Sequence, residues 1–300
     1  MMPVLSRAVM GMALAMAFAV GTPPAQAQDE AAASFVLWQL PNQTSTQMMS
    51  YVIRTVRGKV IVIDGGNEGD APYLREFVAG LGNTVAAWFV THPHSDHVDA
   101  LGVILRDPKG MEIGPIYGSM PDEAWMAAHA SEAEQDTWQR FHKALAQAGR
   151  EVTELELGQE LAIDGLRIEI LGVKNPEITA NPVNNQSLVM RVSDKAKSVL
   201  FTADLGVEGG EKLLASAYAE RLHADYCQMA HHGQNGVSEA FYQKVNPSYC
   251  LWPAPKWLYE NDNGGGKGSG PWRTLEVRAW MDKLPIQAHF PMCEGLKEIR

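Results

Sequence analysis

The chain has 300 residues, of which 46% are hydrophobic and 20% are charged. This composition excludes a largely disordered chain and a polytopic membrane protein, and it predicts a soluble globular protein. The formal net charge of -10 argues against binding of duplex nucleic acid or anionic membranes through the overall charge. An anionic substrate therefore has to be held by a local site, for which bound metal is the simplest means.

The first 27 residues have the pattern of a secretory signal. Arg7 precedes the apolar run Ala8–Val20, and a short segment with small residues ends at Ala27. We expect cleavage after Ala27 and a periplasmic or secreted protein. The alternative is an uncleaved membrane anchor, but the apolar run is shorter than the ~18–20 residues that span a bilayer. No membrane-spanning segment is expected after removal of the signal.

The sequence contains three cysteines, Cys227, Cys250 and Cys293, so it allows at most one disulfide within the chain. Cys227 and Cys250 lie in segments that are predicted to be buried strands. We expect both to be small core residues. A bridge between these two remains the alternative.

Short runs rich in Val, Ile and aromatic residues predict strands at 34–40, 51–56, 59–63, 86–90, 151–157, 160–163, 166–173, 187–192, 198–202, 225–230 and 249–252. Helical spacing predicts helices at 71–81, from His97 towards Leu105, and at 121–149, 210–217, 239–245 and 274–284. The stretch 121–149 is predicted to be a helical insertion. Because no linker separates the two β-rich halves, we expect residues 28–300 to form a single α/β domain with four αββα layers.

The most informative segment follows the strand predicted at 86–90. It places four potential metal ligands in H-x-H-x-D-H spacing, at His92, His94, Asp96 and His97. Imidazole and carboxylate are the ligands that zinc and similar divalent ions prefer. Because histidines in an ordinary polar loop rarely crowd in this way, the segment predicts a metal site.

This spacing resembles the metal-binding motif of the metallo-β-lactamase superfamily, and other segments resemble further motifs of that family in the same order. Asp64 precedes a Gly-Gly pair at the end of a strand, and Asp204 ends another strand. The adjacent His231 and His232 precede Gly233. The resemblance implies the four-layer αββα sandwich, and it implies that Asp64 helps to order the metal loop.

The resemblance further implies two divalent metal ions, with zinc as the first expectation. His92 and His94 would hold one ion, and Asp204 would bridge the two. We expect His231 to complete the second ion and His232 to lie near the substrate, although strand alternation leaves the choice between them open. The implied metal ligands are His92, His94, Asp96, His97, Asp204 and His231.

Many members of this family carry one more metal-binding histidine between the loop and the bridging aspartate. Here the corresponding segment, 184–190, reads N-N-Q-S-L-V-M. This version is similar to the hydrolase domain of the competence protein ComEC over roughly residues 34–255. One metal position then lacks a strong third protein ligand, so manganese or magnesium are alternatives to zinc. Asn184, Asn185 or Ser187 would contact metal-bound water or substrate, or would simply form a turn.

Taken together, the resemblance implies an exported metal-dependent hydrolase in which metal-activated water attacks a phosphodiester of DNA, a nucleotide or a similar small molecule. The predicted catalytic residues are Asp96, His232 and Asn185. The alternatives are a β-lactam or lactone hydrolase of the same fold, and a noncatalytic metal-binding protein. The acidic net charge argues against stable binding of duplex DNA, and the sequence predicts no oligomeric state.

Overall fold

The computed structural model describes all residues except 2–33, so the predicted signal lies outside the described residues. The strands are β1 (Val36–Gln39), β2 (Ser50–Arg54), β3 (Val60–Asp64), β4 (Thr84–Val90), β5 (Glu112–Ile113), β6 (Ile116–Gly118), β7 (Val152–Glu154), β8 (Glu160–Ile163), β9 (Leu166–Gly172), β10 (Val189–Ser193), β11 (Ser198–Phe201), β12 (Tyr226–Gln228), β13 (Tyr249–Trp252), β14 (Ala288–Pro291) and β15 (Lys297–Ile299). The helices are α1 (Ala71–Ala79), α2 (Ser95–Arg106), α3 (Glu123–His129), α4 (Glu132–Gln147), α5 (Val207–Leu214), α6 (Glu239–Val245), α7 (Lys256–Tyr259) and α8 (Thr274–Met281). Among the described residues, no helix is both long enough and apolar enough to span a bilayer.

These strands form two mixed sheets. The first has the order β15–β1–β2–β3–β4–β6–β7, with β5 also paired to β4, and the second has the order β14–β13–β12–β11–β10–β9–β8. Strands β3, β4 and β6 run parallel in the first sheet, as β11, β12, β13 and β14 do in the second. The carboxyl ends of these strands therefore collect at one edge of each sheet.

Successive side chains on a strand point alternately into two different apolar cores. On β3, Val60 and Val62 pack in a core with residues of α1 and α2, whereas Ile61 and Ile63 pack in the core between the sheets. On β11, Phe201 lies in the core between the sheets and Leu200 packs in a third core with residues of α5, α6 and α8. A period of two is expected for strands that are covered on both faces. The predicted αββα layering is confirmed.

Several elements differ from the sequence-based expectation. Helix α2 begins at Ser95, so Asp96 and His97 lie in its first turn; an acidic residue is favourable there because it faces the positive end of the helix dipole. Strands β5, β6, β14 and β15 and helix α7 were not predicted because they are short and carry little periodic signal. β15 pairs with β1 from the other end of the chain, and that pairing depends on tertiary contacts alone.

The stretch 121–149 contains α3 and α4, separated where Ser131 caps α4. Ser131 and Glu134 form a reciprocal capping box, which is a strong helix-start signal. Phe141 and Leu145 of α4 are buried in the same core as Leu101 of α2. The helices of this stretch are therefore anchored to the sandwich beside α2.

Cys227 and Cys250 are buried opposite each other on the parallel strands β12 and β13, and neither is disulfide-bonded in the structure. Cys293 is half-buried and also free. Both strand cysteines pack in the core between the second sheet and its helices. Their surroundings are those of small apolar core residues.

Candidate metal centre

The candidate metal ligands lie just beyond the carboxyl ends of strands from both sheets. His92 comes two residues after β4 ends, and Asp204 comes three residues after β11 ends. His231 and His232 follow β12 in a short turn that spans Ala230–Gly233. The two sheets therefore deliver histidine and aspartate side chains to one place, as the sequence motifs predicted.

Four of these side chains form a buried group that we call the deep cluster: Asp96, His97, Asp204 and His232. Nε2 of His232 lies 3.0 Å from Oδ2 of Asp96 and 3.3 Å from Oδ2 of Asp204. Nε2 of His97 lies 3.3 Å from Oδ1 of Asp204. One ligand atom from each of the four residues can be chosen so that all lie within 4.8 Å of one another.

Three side chains form a second group, the outer cluster: His92, His94 and Asp204. Nε2 of His92 lies 3.0 Å from Nδ1 of His94 and 3.9 Å from Oδ2 of Asp204. Asp204 therefore belongs to both clusters. If each cluster held a cation, Asp204 would contribute to both, which is the role that the family resemblance implied for it.

The deep cluster has the unsatisfied polar atoms that a cation would satisfy. Oδ2 of Asp96, Nε2 of His97, Nε2 of His232 and both carboxylate oxygens of Asp204 are buried without a hydrogen bond of normal geometry among the described residues. A buried polar atom left without a partner costs about 1–3 kcal/mol. Because these atoms converge and are donors of the type that divalent metals prefer, the residues fit a divalent metal ion.

Neighbouring groups orient the two histidines of the deep cluster. Nδ1 of His97 lies 2.7 Å from Oδ2 of Asp64, and Nδ1 of His232 lies 2.8 Å from the carbonyl oxygen of Pro253. Because a carboxylate and a carbonyl can only accept, Nδ1 is the protonated nitrogen in both rings. Nε2 of each ring is left facing the cluster. Such partners fix the tautomer and orientation of metal-binding histidines.

Asp64 is in turn held by the start of the metal loop. The backbone N–H of Thr91 donates to its Oδ1 over 2.8 Å, and the Thr91 hydroxyl donates to its Oδ2 over 2.7 Å. Asp64 has a left-handed backbone with φ of 55°, a conformation that aspartate tolerates better than most residues. Its contacts with Thr91 and His97 are those of a residue that orders the metal loop, as the sequence predicted.

The pKa values of the histidines shift in opposite directions. Burial, together with the neighbouring His97, lowers the pKa of His92 well below its ordinary value. Burial also acts to lower the pKa of His232, but the Asp204 and Asp96 carboxylates outweigh it and raise the pKa to about 10. Carboxylates raise the pKa of His97 in the same way. In the metal-free protein the carboxylates therefore favour a second proton on each ring, at Nε2 of His97 and His232, and a cation bound there would replace that proton.

The structure places the adjacent histidines differently from the sequence-based preference, which took His231 as the ligand. Nε2 of His231 lies 3.9 Å from Oδ2 of Asp204 and 3.4 Å from Nδ2 of Asn184, whereas His232 lies inside the deep cluster. Strand alternation does not apply to this pair because both residues have left-handed backbones, with φ of 51° and 57°. The turn after β12 points His232 inward and leaves the His231 side chain 16% exposed.

Asn185, predicted to be catalytic, has structural contacts instead. Its Oδ1 accepts hydrogen bonds from the backbone N–H groups of Gly206 and Gly209, at 3.1 and 3.0 Å. Its Nδ2 donates to Ala180 and Glu208. The side chain therefore ties together the segment that follows Asp204, and its hydrogen-bonding groups are used there.

The neighbours of Asn185 lie closer to the clusters. The Asn184 side chain approaches His231, and its Oδ1 is buried without a hydrogen-bond partner among the described residues. The Ser187 hydroxyl accepts a hydrogen bond from the backbone N–H of Asp204 over 3.1 Å. Of the three candidates in this segment, Asn184 has a free group beside the site, and Ser187 helps to hold Asp204.

One contact at the outer cluster was not predicted from the sequence. Nε2 of His94 lies 2.9 Å from Oε1 of Glu134 in α4. The pKa of Glu134 is lowered to about 2, chiefly by this hydrogen bond. The capping-box spacing of Ser131 and Glu134 was a visible helix signal, but nothing in the sequence linked that helix to the metal loop.

Known structures share this fold at low sequence identity. The metallo-β-lactamase fold protein YhfI from Bacillus subtilis aligns over 89% of this chain and 100% of its own, with 12% identity and a TM-score of 0.54. A diphosphatase from the PhnP family aligns over 89% and 97% of the two chains, with 15% identity and a TM-score of 0.50. CmlA, a diiron β-hydroxylase from Streptomyces venezuelae, covers 89% of this chain with 54% of its own, at 13% identity and a TM-score of 0.50.

Sequence comparison gives a short match and a long one. The uncharacterized protein YcaI of Escherichia coli K12 is 35% identical over 75 residues, which is 25% of this chain and only 10% of YcaI. The family model of the metallo-beta-lactamase superfamily matches residues 46–240, a range that contains both clusters. Because this family model matches more than half of the chain and the fold has the two sheets expected for the family, the chain belongs to the metallo-β-lactamase superfamily.

Proposed function

We propose that this protein is an exported metal-dependent hydrolase that cleaves phosphodiesters. The observation that carries the proposal is the sharing of Asp204 between two groups of metal-ligand side chains. These groups would hold two divalent cations, which would supply Lewis-acid charge and lower the pKa of bound water towards neutrality. Zinc suits the histidine-rich donor set, and manganese or magnesium are alternatives at the outer cluster, which offers fewer strong protein ligands.

The residues of this chain divide into three roles. His92, His94, Asp96, His97, Asp204 and His232 hold the cations. Asp64 and the Pro253 carbonyl keep the Nε2 atoms of His97 and His232 directed at the deep cluster. His231 and Asn184 form the substrate side, because they lie beside the clusters and the free Oδ1 of Asn184 and the partly exposed His231 ring can each accept a hydrogen bond from water or from a hydroxyl group of the substrate.

Substrate approaches the centre from the side of His94 and His231. Their side chains are 19% and 16% exposed, whereas those of His92, His97 and His232 are fully buried. Nδ1 of His231 faces the carbonyl oxygen of Asn235, and burial lowers the pKa of His231, so the neutral ring presents Nε2 as an acceptor that can take a proton from water. Solvent has little access to the deep cluster, which strengthens the electrostatic interactions there.

Two observations support a phosphodiester as the substrate, and the net charge of the chain bears on the size of that substrate. The N-N-Q-S segment in place of a third histidine is similar to the ComEC hydrolase domain, and a PhnP-family diphosphatase shares the fold. The net charge of -10 favours small substrates over duplex DNA, because the overall field repels a polyanion.

The test is hydrolysis of bis(p-nitrophenyl) phosphate by the purified protein reconstituted with zinc or manganese, beside His97→Ala. Nitrocefin and an aromatic lactone are assayed in parallel. Turnover of the phosphodiester that disappears in His97→Ala supports the proposal. Turnover of the lactam or lactone alone contradicts the phosphodiester assignment. Tight metal binding without turnover of any substrate indicates a noncatalytic metal-binding protein.

Export is the part of the proposal that rests on residues 1–27. The expected mature protein begins after Ala27 and is found in the periplasm or the medium. Cell fractionation followed by N-terminal sequencing of the purified protein tests this directly. A full-length protein in the cytoplasmic fraction would contradict it.

A further inference from the structure

The two ring nitrogens of His94 face different partners. Nδ1 lies 3.0 Å from Nε2 of His92, inside the outer cluster, and Nε2 lies 2.9 Å from Oε1 of Glu134. Because the ionised carboxylate can only accept, the Nε2 atom of His94 carries the proton. Nδ1 is then the nitrogen with a free lone pair, and it is the one directed at the outer cluster.

The Glu134 carboxylate is itself held in place. Its Oε2 accepts hydrogen bonds from the backbone N–H and the hydroxyl of Ser131, each over 2.6 Å. One oxygen therefore completes the capping box of α4 while the other contacts His94. The capping box restricts the Glu134 rotamer, and so the position of Oε1.

The helix that carries Glu134 is anchored to the helix that follows His94. Phe141 of α4 packs in the same core as Leu101 of α2, and Arg140 of α4 lies 3.2 Å from the Asp99 carboxylate of α2. His94 is the N-cap residue of α2. The distance between Glu134 and His94 is therefore set by helix packing as well as by their own hydrogen bond.

We infer that Glu134 is a positioning residue for His94 and thereby sets the metal affinity of the outer cluster. This gives α4 a direct connection to the metal centre. His94 is the most exposed of the candidate ligands, and the outer cluster lacks a third histidine, so loss of its orientation would not be compensated by neighbours. The inference rests on the proposed metal centre and is independent of the substrate.

The test compares Glu134→Ala with Ser131→Ala by titrating metal-free protein with zinc in competition with a chromophoric chelator. Loss of an outer-shell partner typically weakens metal binding 10–100-fold. We expect Glu134→Ala to weaken one of two binding events by that factor and to leave the other unchanged. Ser131→Ala removes one of the two hydrogen bonds to Oε2 but keeps the backbone N–H and the contact between Oε1 and His94, so its loss of affinity should be much smaller than that of Glu134→Ala.

Glu134→Gln is the second variant, in case the alanine variant does not fold. It retains an acceptor oxygen for His94 but loses the charge, so a smaller loss at the same binding event is expected. Thermal unfolding of the metal-free proteins shows whether helix stability has changed. Two unchanged affinities in a folded Glu134→Ala protein, or an equal loss in Ser131→Ala, would overturn the inference. A wild-type protein that binds no metal would instead overturn the proposed function.

Discussion

The Asp64 carboxylate and the His97 imidazole lie at hydrogen-bond distance, with 2.7 Å between Oδ2 and Nδ1. This pair links the carboxyl end of β3 to the first turn of α2, and it leaves Nε2 of His97 facing Asp204. The deep cluster is therefore oriented by a residue from outside it. Removing the charge of Asp64 should weaken metal binding without removing any ligand.

Asp64→Asn is expected to weaken metal binding at the deep cluster about 10–100-fold. Asparagine tolerates the left-handed backbone, so the fold should be retained. The matched control is Asp164→Asn. Asp164 also has a left-handed backbone, with φ of 52° compared with 55° for Asp64, but its side chain contacts Thr55 and Arg57 instead of the metal loop. Competition titration measures both variants. Equal affinities in the two would show that Asp64 does not orient His97.

His232→Ala and His231→Ala separate a metal ligand from a substrate-facing residue. Both positions have left-handed backbones, so alanine introduces similar strain in each. His232→Ala should lose one metal equivalent. His231→Ala should keep both ions but lose about 100-fold or more in turnover, as expected for removal of a group that accepts a proton during the reaction. Elemental analysis and phosphodiester hydrolysis measure these effects, and the opposite result would restore His231 as the ligand.

Asn185→Ala and Asn184→Ala separate a structural from a functional amide. Asn185→Ala leaves the N–H groups of Gly206 and Gly209 without their acceptor, so we expect the free energy of unfolding to fall by about 1–3 kcal/mol. Asn184→Ala should lower turnover with little effect on stability. Urea unfolding and hydrolysis assays distinguish the two. A stable but inactive Asn185→Ala protein would support the catalytic role that the sequence suggested.

Asp194 should contribute stability that depends on pH. Burial acts to raise its pKa, but hydrogen bonds from Ala196, Lys197, Ser34 and Phe35 outweigh this and lower the pKa below its ordinary value. Because the pKa of Asp194 is lower in the folded protein than its value of about 3.9 in the unfolded chain, ionised Asp194 stabilises the fold at pH values above that value. This stabilisation is lost as the pH falls through the pKa of the folded protein. The stability difference between wild type and Asp194→Asn should therefore be larger at neutral pH than at about pH 3. Urea unfolding at the two pH values measures it, and a constant difference would exclude this linkage.

Local sequence patterns predicted the parts of the molecule that depend on local chemistry. The H-x-H-x-D-H segment indicated a metal site by its own spacing and chemistry, whereas Asp204 was assigned to the same centre through the resemblance to the metallo-β-lactamase superfamily. The layering was predicted from two β-rich halves with helices and no linker between them, and the same resemblance implied it; the alternation of side chains on β3 and β11 shows why the two-sheet arrangement forms.

Features that depend on the exact path of the backbone could not be predicted in the same way. The choice between His231 and His232 depends on two consecutive left-handed residues, which no strand pattern reveals. Asn185 and Asn184 are neighbours with equal chemistry, and only the fold of the segment after Asp204 gives them different partners. The contact between Glu134 and His94 spans 40 positions and requires α4 to pack on α2.

The central claim is that Asp204 joins two metal positions, and metal content tests it most directly. The wild-type protein, loaded with zinc and desalted, should contain two equivalents of metal by elemental analysis. Asp96→Asn, which affects the deep cluster alone, should retain one equivalent, whereas Asp204→Asn should retain little of either. If Asp204→Asn bound the same amount of metal as the wild type, the shared centre would be wrong.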